Sequence, residues 1–207
     1  MIIDSHCHAW TTWPFDTSVP DPETRGRIEQ LLFEMDRNGV DRAVLICARI
    51  DHNPANNDYI ADQVARWPDR IIQFPDVDSS WSPEYHTPGA TDRLRAVADR
   101  WPIAGFTHYL GEKNDGWLLS DEGLAFFGVA AERNLIVSLS TSPVWREDLR
   151  SVAETYATLP IIIHHQGGAR AVDGPDSEGL QAVLELADLQ GLEGDLSKVS
   201  RRRRIPR

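Results

Sequence analysis

Two cysteines in 207 residues, Cys7 and Cys47, are too few for a disulfide scaffold. No apolar run approaches the roughly 18 residues that a bilayer crossing needs. The N-terminus lacks the basic flank and long apolar stretch of a secretory leader, because Asp4 interrupts the first apolar pair. Neither GxGxxG nor GxxxxGK(S/T) follows any expected strand, which removes support for a nucleotide-binding sheet. Net charge is −11, which argues against nucleic acid as a partner. These absences point to a soluble, cytoplasmic protein acting on a small molecule, with neither membrane nor nucleic acid as partner.

What is present is alternation. Short β-branched runs at 2–8, 41–50, 70–78, 103–110, 135–141 and 160–165 alternate with helical patterns at 23–38, 57–67, 92–101, 121–133, 146–156 and 178–189. Such alternation predicts βα units on a parallel sheet. Apolar runs such as Ile161-Ile162-Ile163 fit strands buried on both faces. Asn38-Gly39 and Asn134 supply helix stops, and Ser120-Asp121-Glu122 and Asp176-Ser177-Glu178 supply starts. Six such units can build an open doubly wound sheet or most of a (β/α)8 barrel. Polar residues at the C-terminal ends of several strands (His6, His8, Asp76, Asp78, His108, His164, His165) favour the barrel, which gathers its chemistry there. The expected fold class is therefore α/β, of (β/α)8 TIM-barrel type. It is incomplete, with about six to seven βα units over residues 1–190. The loop at 76–90 and the aromatic segment Trp10–Phe15 are expected to line a site or close over it.

His6 and His8 stand two apart, so a strand places both imidazoles on one face, ready to hold a divalent ion. Two water-bonded polar residues at a strand end are the plain alternative. Cys7, between them, faces the other way and is expected to pack against helices. Asp4 is read as a support for the strand or a nearby imidazole. Of His164 and His165, adjacent in a strand, only one can point inward, and Gly167-Gly168 lets the chain turn sharply after them. His108 is read as substrate contact, acid–base group or satisfied core histidine. His52 and His86 are read as solvated loop residues.

Ile3-Asp4-Ser5-His6-Cys7-His8 resembles the opening motif of the amidohydrolase superfamily, in its amidohydrolase-related (type 2) branch. Gly39-Val-Asp-Arg-Ala-Val-Leu-Ile46 is similar to that branch's entry to strand two. Ile162-Ile-His-His-Gln-Gly-Gly168 is similar to its sixth strand. The resemblance covers residues 1–190. It implies a hydrolase that uses activated water on a lactone, ester or amide of a small substrate, or a nonoxidative decarboxylase. By the same resemblance His6 and His8 are metal ligands or substrate-polarising groups, His165 is a further metal ligand, and His165 and His164 are catalytic candidates; His108 joins these candidates on its own reading above. His164 takes a position often held by aspartate. The ion implied is divalent, zinc by expectation, beside lactonase-like relatives that work without metal.

Two departures stand out. Strand five, Leu135–Ser142, carries no histidine, where many relatives place a ligand. The strand-eight aspartate that acts as base in the family has no counterpart in context, since Asp195 lies in a different setting. The last ten residues hold six of the 21 cationic side chains and no acid, so 191–207 is set apart as a divergent basic tail. The expectation drawn is a C-terminally truncated chain. Its activity is then uncertain between a working hydrolase and an impaired remnant or binding protein, and an open first strand would favour self-association into a homo-oligomer. Trp10, Trp13, Phe15, Trp81 and Trp117 point to an apolar or ring-bearing ligand, or to loop packing.

Overall fold

A computed structural model describes residues 1–15, 19–50, 53–169, 173–174 and 176–187. His52, Asp195 and the basic tail lie outside the described residues. The described residues form two compact units, one of residues 1–77 and 97–107, the other of 78–96 and 108 onward.

The first unit opens with β1 (Ile3–Cys7), a short α1 (Pro22–Arg25), α2 (Ile28–Asn38), β2 (Arg42–Ile46), α3 (Asn56–Arg66) and β3 (Ile71–Phe74). Helix α4 (Ala90–Arg100) and strand β4 (Gly105–Tyr109) follow, then α5 (Asp121–Glu132), β5 (Ile136–Ser140), α6 (Arg146–Thr155), β6 (Ile161–Ile163) and α7 (Glu178–Ala187). Strands order as β1-β2-β3 in one sheet and β4-β5-β6 in another. The pairs β1–β2, β2–β3 and β5–β6 are all parallel. Parallel strands joined through helices are the units of the (β/α)8 class, and six of its strands fall within the described residues.

Helices α3 to α6 lie within two residues of the sequence expectation at either end, and α7 begins where expected. The expected helix at 23–38 is instead broken, with α1 ending before Gly26 and α2 beginning at Ile28. Tertiary bonds cause the break. The Gly26 carbonyl accepts the Trp10 N–H at 2.8 Å, and the first N–H of α2, on Ile28, donates to the Tyr59 hydroxyl at 3.0 Å. At the other end of α2, Gly39 adopts φ 67°, and Val40 N–H closes the turn on the Met35 carbonyl at 2.8 Å. Helix α5 is capped by Ser120, whose Oγ accepts the Gly123 N–H at 3.1 Å.

In the first unit, β2 and β3 turn Ala43, Leu45, Cys47 and Ile71 toward Ile28, Leu32 and Met35 of α2 and Ile60 of α3. Full burial of each large apolar side chain there stabilises by about 1.5–3 kcal/mol. The second unit buries Phe126, Phe127 and Val129 of α5, Val137 and Leu139 of β5, Trp145, and Val152 of α6. These apolar faces fix the strands, so the alternate residues of each strand are left to carry polar chemistry.

Candidate functional site

In the first unit the site is built on the end of β1. The β1–β2 register slips between Asp4 and Cys7, where Asp4 Oδ1 accepts the His6 backbone N–H at 3.1 Å. Such an irregularity re-aims the side chains that follow it. His6 Nε2 and His8 Nε2 end 3.1 Å apart, with ring planes at 82°. His8 Nδ1 lies 2.7 Å from the Ile46 carbonyl oxygen, which can only accept. The proton of neutral His8 therefore sits on Nδ1, and Nε2 presents its lone pair toward His6. The His8 ring stacks on Trp10 at 5.0 Å, and Trp13 and Phe15 pack edge-on around Trp10.

This geometry suits a divalent ion. Two nitrogens each about 2.0–2.1 Å from one ion, as zinc–imidazole bonds require, stand 3.1 Å apart when they subtend an angle near ~100°. Cys7, on the other face, packs against the helix-side core, and burial followed by the nearby Asp4 pushes its thiol up to about 12. Among the described residues no three or more His, Cys, Asp or Glu side chains gather into a metal-holding group.

The chain leaving β1 is held by two asparagines of low exposure, Asn53 and Asn56, and a third, Asn57, holds the chain after β3. Asn56 accepts the Ala48 N–H at 2.9 Å and donates to the Ala9 carbonyl at 2.8 Å. Asn53 donates to the Thr12 carbonyl and accepts from the Thr11 hydroxyl. Asn57 brackets Asp76, accepting its N–H at 2.8 Å and donating to its carbonyl at 2.9 Å. Asp76 in turn accepts the Arg49 N–H at 2.8 Å. It lies just past β3, bridged in parallel to Thr107.

In the second unit β6 ends at Ile163, and His164 and His165 sit in a 3-10 turn rather than completing the expected strand. His164 is buried, with Nε2 2.6 Å from Ser138 Oγ on β5 and its ring edge-on to Tyr109 at 5.1 Å. His165 is exposed, with φ +48°. The glycine turn is sterically required: at Gly167, φ 59°, a Cβ would come within 3.1 Å of Val183. Trp81 lies against Tyr109 at 4.4 Å, so Trp81, Tyr109, His164 and Ser138 form one continuous patch.

His108 does not join that patch. One residue before Tyr109 on β4, it points the other way, fully buried, with its ring 5.5 Å from Phe126 of α5. Its Nε2 lies 3.3 Å from Nε2 of His86, whose Nδ1 lies 2.7 Å from Asp115 Oδ2. His86 corrects the sequence reading. It is not solvated, since its side chain is 5% exposed and stacks on Trp117 at 4.1 Å. Burial lowers its pKa from the ordinary 6.5, against the opposing pull of Asp115 and Asp78. Asp78, its side chain fully buried, takes Arg93 Nε and Nη2 on Oδ1 and the His86 N–H on Oδ2. Burial raises its pKa despite Arg93. Sequence reasoning also passed over Ser138, Tyr109 and Asp115, and no local pattern marks them.

Residues 3–201 match the model of the amidohydrolase family. No curated protein matches the chain. Among solved structures, a probable 2-pyrone-4,6-dicarboxylic acid hydrolase from Acinetobacter baumannii with bound citric acid is similar at 20% identity and TM-score 0.67, over 91% of this chain and 67% of that one. An amidohydrolase from Burkholderia multivorans with bound zinc is similar at 15% identity and TM-score 0.67, over 91% of this chain and 66% of that one. A 2,6-dihydroxybenzoate decarboxylase from Rhizobium is similar at 17% identity and TM-score 0.59, over 80% and 66%. The chain thus spans about two thirds of the length of each, and at these identities the likeness is one of fold.

Proposed function

The chain belongs to the amidohydrolase family, and from that membership we propose that it is a hydrolase that brings activated water to a C–O or C–N bond (lactone, ester or amide) of a small ring-bearing acid. The observation that carries this reading is the His6–His8 pair, with Nε2 atoms 3.1 Å apart and His8 fixed in its Nδ1–H tautomer by the Ile46 carbonyl. Those two residues are the proposed ligands of a divalent ion, zinc first. Such an ion, when bound, lowers the pKa of water and polarises a carbonyl. In the second unit His164 is the proposed proton carrier, held by Ser138 and flanked by Tyr109. His165 is proposed as a substrate contact from its exposed position in the turn. His108 is proposed to act only through His86. The ring in the substrate is supported by the Trp10, Trp13 and Phe15 cluster and by the Trp81–Tyr109 pair.

The test is metal analysis of the purified protein, followed by turnover assays on 2-pyrone-4,6-dicarboxylate, on simple lactones and esters, and on 2,6-dihydroxybenzoate. Lactone or ester hydrolysis that a chelator abolishes and zinc restores supports the proposal. Release of carbon dioxide without hydrolysis moves the protein to the decarboxylases. Stoichiometric metal without turnover of any of these assigns it to binding rather than catalysis.

A further inference from the structure

The loop between β3 and α4 carries Trp81, Tyr85 and His86 on one short stretch. We infer that His86 is a positioning residue: its imidazole latches this loop to β4 and to the segment after β4, and so holds Trp81 against Tyr109 beside His164. The inference rests on the functional reading only in treating the His164 patch as a substrate site; the latch itself stands on contacts within the second unit.

Four kinds of contact converge on His86. Its Nδ1 meets Asp115 at 2.7 Å, its Nε2 meets His108 at 3.3 Å, and its ring lies between Tyr85 and Trp117, parallel to the indole at 9°. Its backbone N–H is taken by Asp78 Oδ2 at 3.0 Å. Its φ is +53°, a region that a non-glycine residue keeps only when its surroundings hold it there. A residue so constrained in the middle of a 15-residue connection is a fastening point, not a passing turn.

The fastening has a consequence for the patch. Ser80 N–H donates to the Tyr109 carbonyl at 2.9 Å, and Tyr109 N–H donates to Ser79 Oγ at 3.1 Å, so the start of the loop follows β4 closely. Trp81 then reaches the Tyr109 ring, and Tyr85 receives the Gly111 N–H on its hydroxyl at 2.8 Å. Between Trp81 and Pro88 the loop is held by the Tyr85 hydroxyl, by His86 and by Arg93, which reaches the carbonyls of Glu84, Thr87 and Pro88. Of these holders His86 is the imidazole, the side chain type whose charge ordinarily changes between about pH 5 and 8.

The bonds require one protonation state. In neutral His86 the Nδ1 proton goes to Asp115, and Nε2 then accepts the Nε2 proton of His108. A second proton on His86 would set two N–H groups against each other across that contact. The groups facing His86 are the carboxylates of Asp115 and Asp78, the Tyr85 hydroxyl and His108, with Arg93 behind Asp78. Burial outweighs the two carboxylates and lowers the folded pKa below the ordinary 6.5. The latch is therefore fully set above that value and weakens as pH falls beneath it.

Hydrogen exchange on the intact chain, followed by mass spectrometry from pH 5 to 8 and corrected for intrinsic rates, tests this without any substrate. Residues 81–89 should exchange about tenfold or more faster at pH 5 than at pH 7.5, the factor expected for losing one hydrogen bond to a charged group, while α5 stays protected. His86→Asn tolerates the left-handed backbone and should leave 81–89 fast at every pH with no step. Asp115→Asn should keep the step but move it to lower pH, because Asp115 is the carboxylate that raises the imidazole's pKa. That displacement would not arise from a merely structural role. Should His86→Asn also unprotect α5, Asp115→Asn decides. A wild-type loop with no pH step, or a step unmoved by either substitution, overturns the inference. Failure of the hydrolase assays would leave this result untouched.

Discussion

His8 donates its Nδ1 proton to the Ile46 carbonyl oxygen across 2.7 Å, from the end of one strand to the end of its neighbour. The same sheet pairing that aligns β1 with β2 thus selects the tautomer of His8 and aims its other nitrogen at His6. A change that loosens β1 would scatter the two nitrogens without touching either histidine.

Asn56 gives the first prediction. It satisfies the Ala48 N–H and the Ala9 carbonyl from a nearly inaccessible position. Asn56→Ala leaves both groups without their partner, and a loss of about 2–6 kcal/mol is expected, since each such group costs about 1–3 kcal/mol. Guanidinium unfolding measures it. A loss below 1 kcal/mol, on the order of an exposed substitution, would show that the network does not hold the segment after His8.

Arg93 gives a prediction with a pH signature. It is the only cation on the fully buried Asp78 carboxylate among the described ion pairs. Removing one partner of a buried pair costs about 3–5 kcal/mol, and that is the expected loss for Arg93→Met at pH 7. Burial raises the Asp78 pKa from its ordinary 3.8, so the ionised carboxylate weighs against the fold as pH rises, and Arg93 offsets that weight. The gap between variant and wild type should therefore widen as pH rises through and above the ordinary carboxylate value, and shrink toward pH 4. Denaturation curves across pH 4 to 8 check the slope. A gap independent of pH contradicts the assignment.

Gly123 separates steric need from backbone freedom. A Cβ there would stand 2.0 Å from the Trp117 carbonyl oxygen, and this obstacle is backbone that cannot swing aside. Gly123→Ala should cost about 1–3 kcal/mol and disturb the near-ultraviolet signal of Trp117. Gly116, at φ 76° with nothing within 4 Å of its would-be Cβ, meets only the backbone penalty when changed to alanine, on the order of 1 kcal/mol. Equal melting temperatures for the two variants would reject the distinction.

These residues also mark what the sequence could show. The alternation of apolar runs located the six described strands; burial writes that signal into β3 to β6, whereas β1, with Ile3 exposed, was marked by its position and its histidines. The His6–His8 spacing was legible for the same local reason. Ser120 and Gly39 announced the ends of helices through capping chemistry. The break at Gly26 was not legible, since its cause is a bond to Trp10, sixteen positions away. His86 was missed because the Ser-, Pro- and Gly-rich run around it reads as solvated loop. Its partners Asp115 and His108 come from 29 and 22 positions further on. Strand six reads two residues too long because His164 leaves the ladder for Ser138 and His165 enters a turn with positive φ.

The central claim is that His6 and His8 together hold a divalent ion. Zinc content after equilibrium dialysis, measured on the wild-type chain and on His6→Ala and His8→Ala, tests it most directly, with circular dichroism to confirm that each variant is folded. Close to one zinc per wild-type chain is expected, with its loss in both folded variants. A wild-type chain that retains no zinc, or folded variants that keep it, would contradict the account.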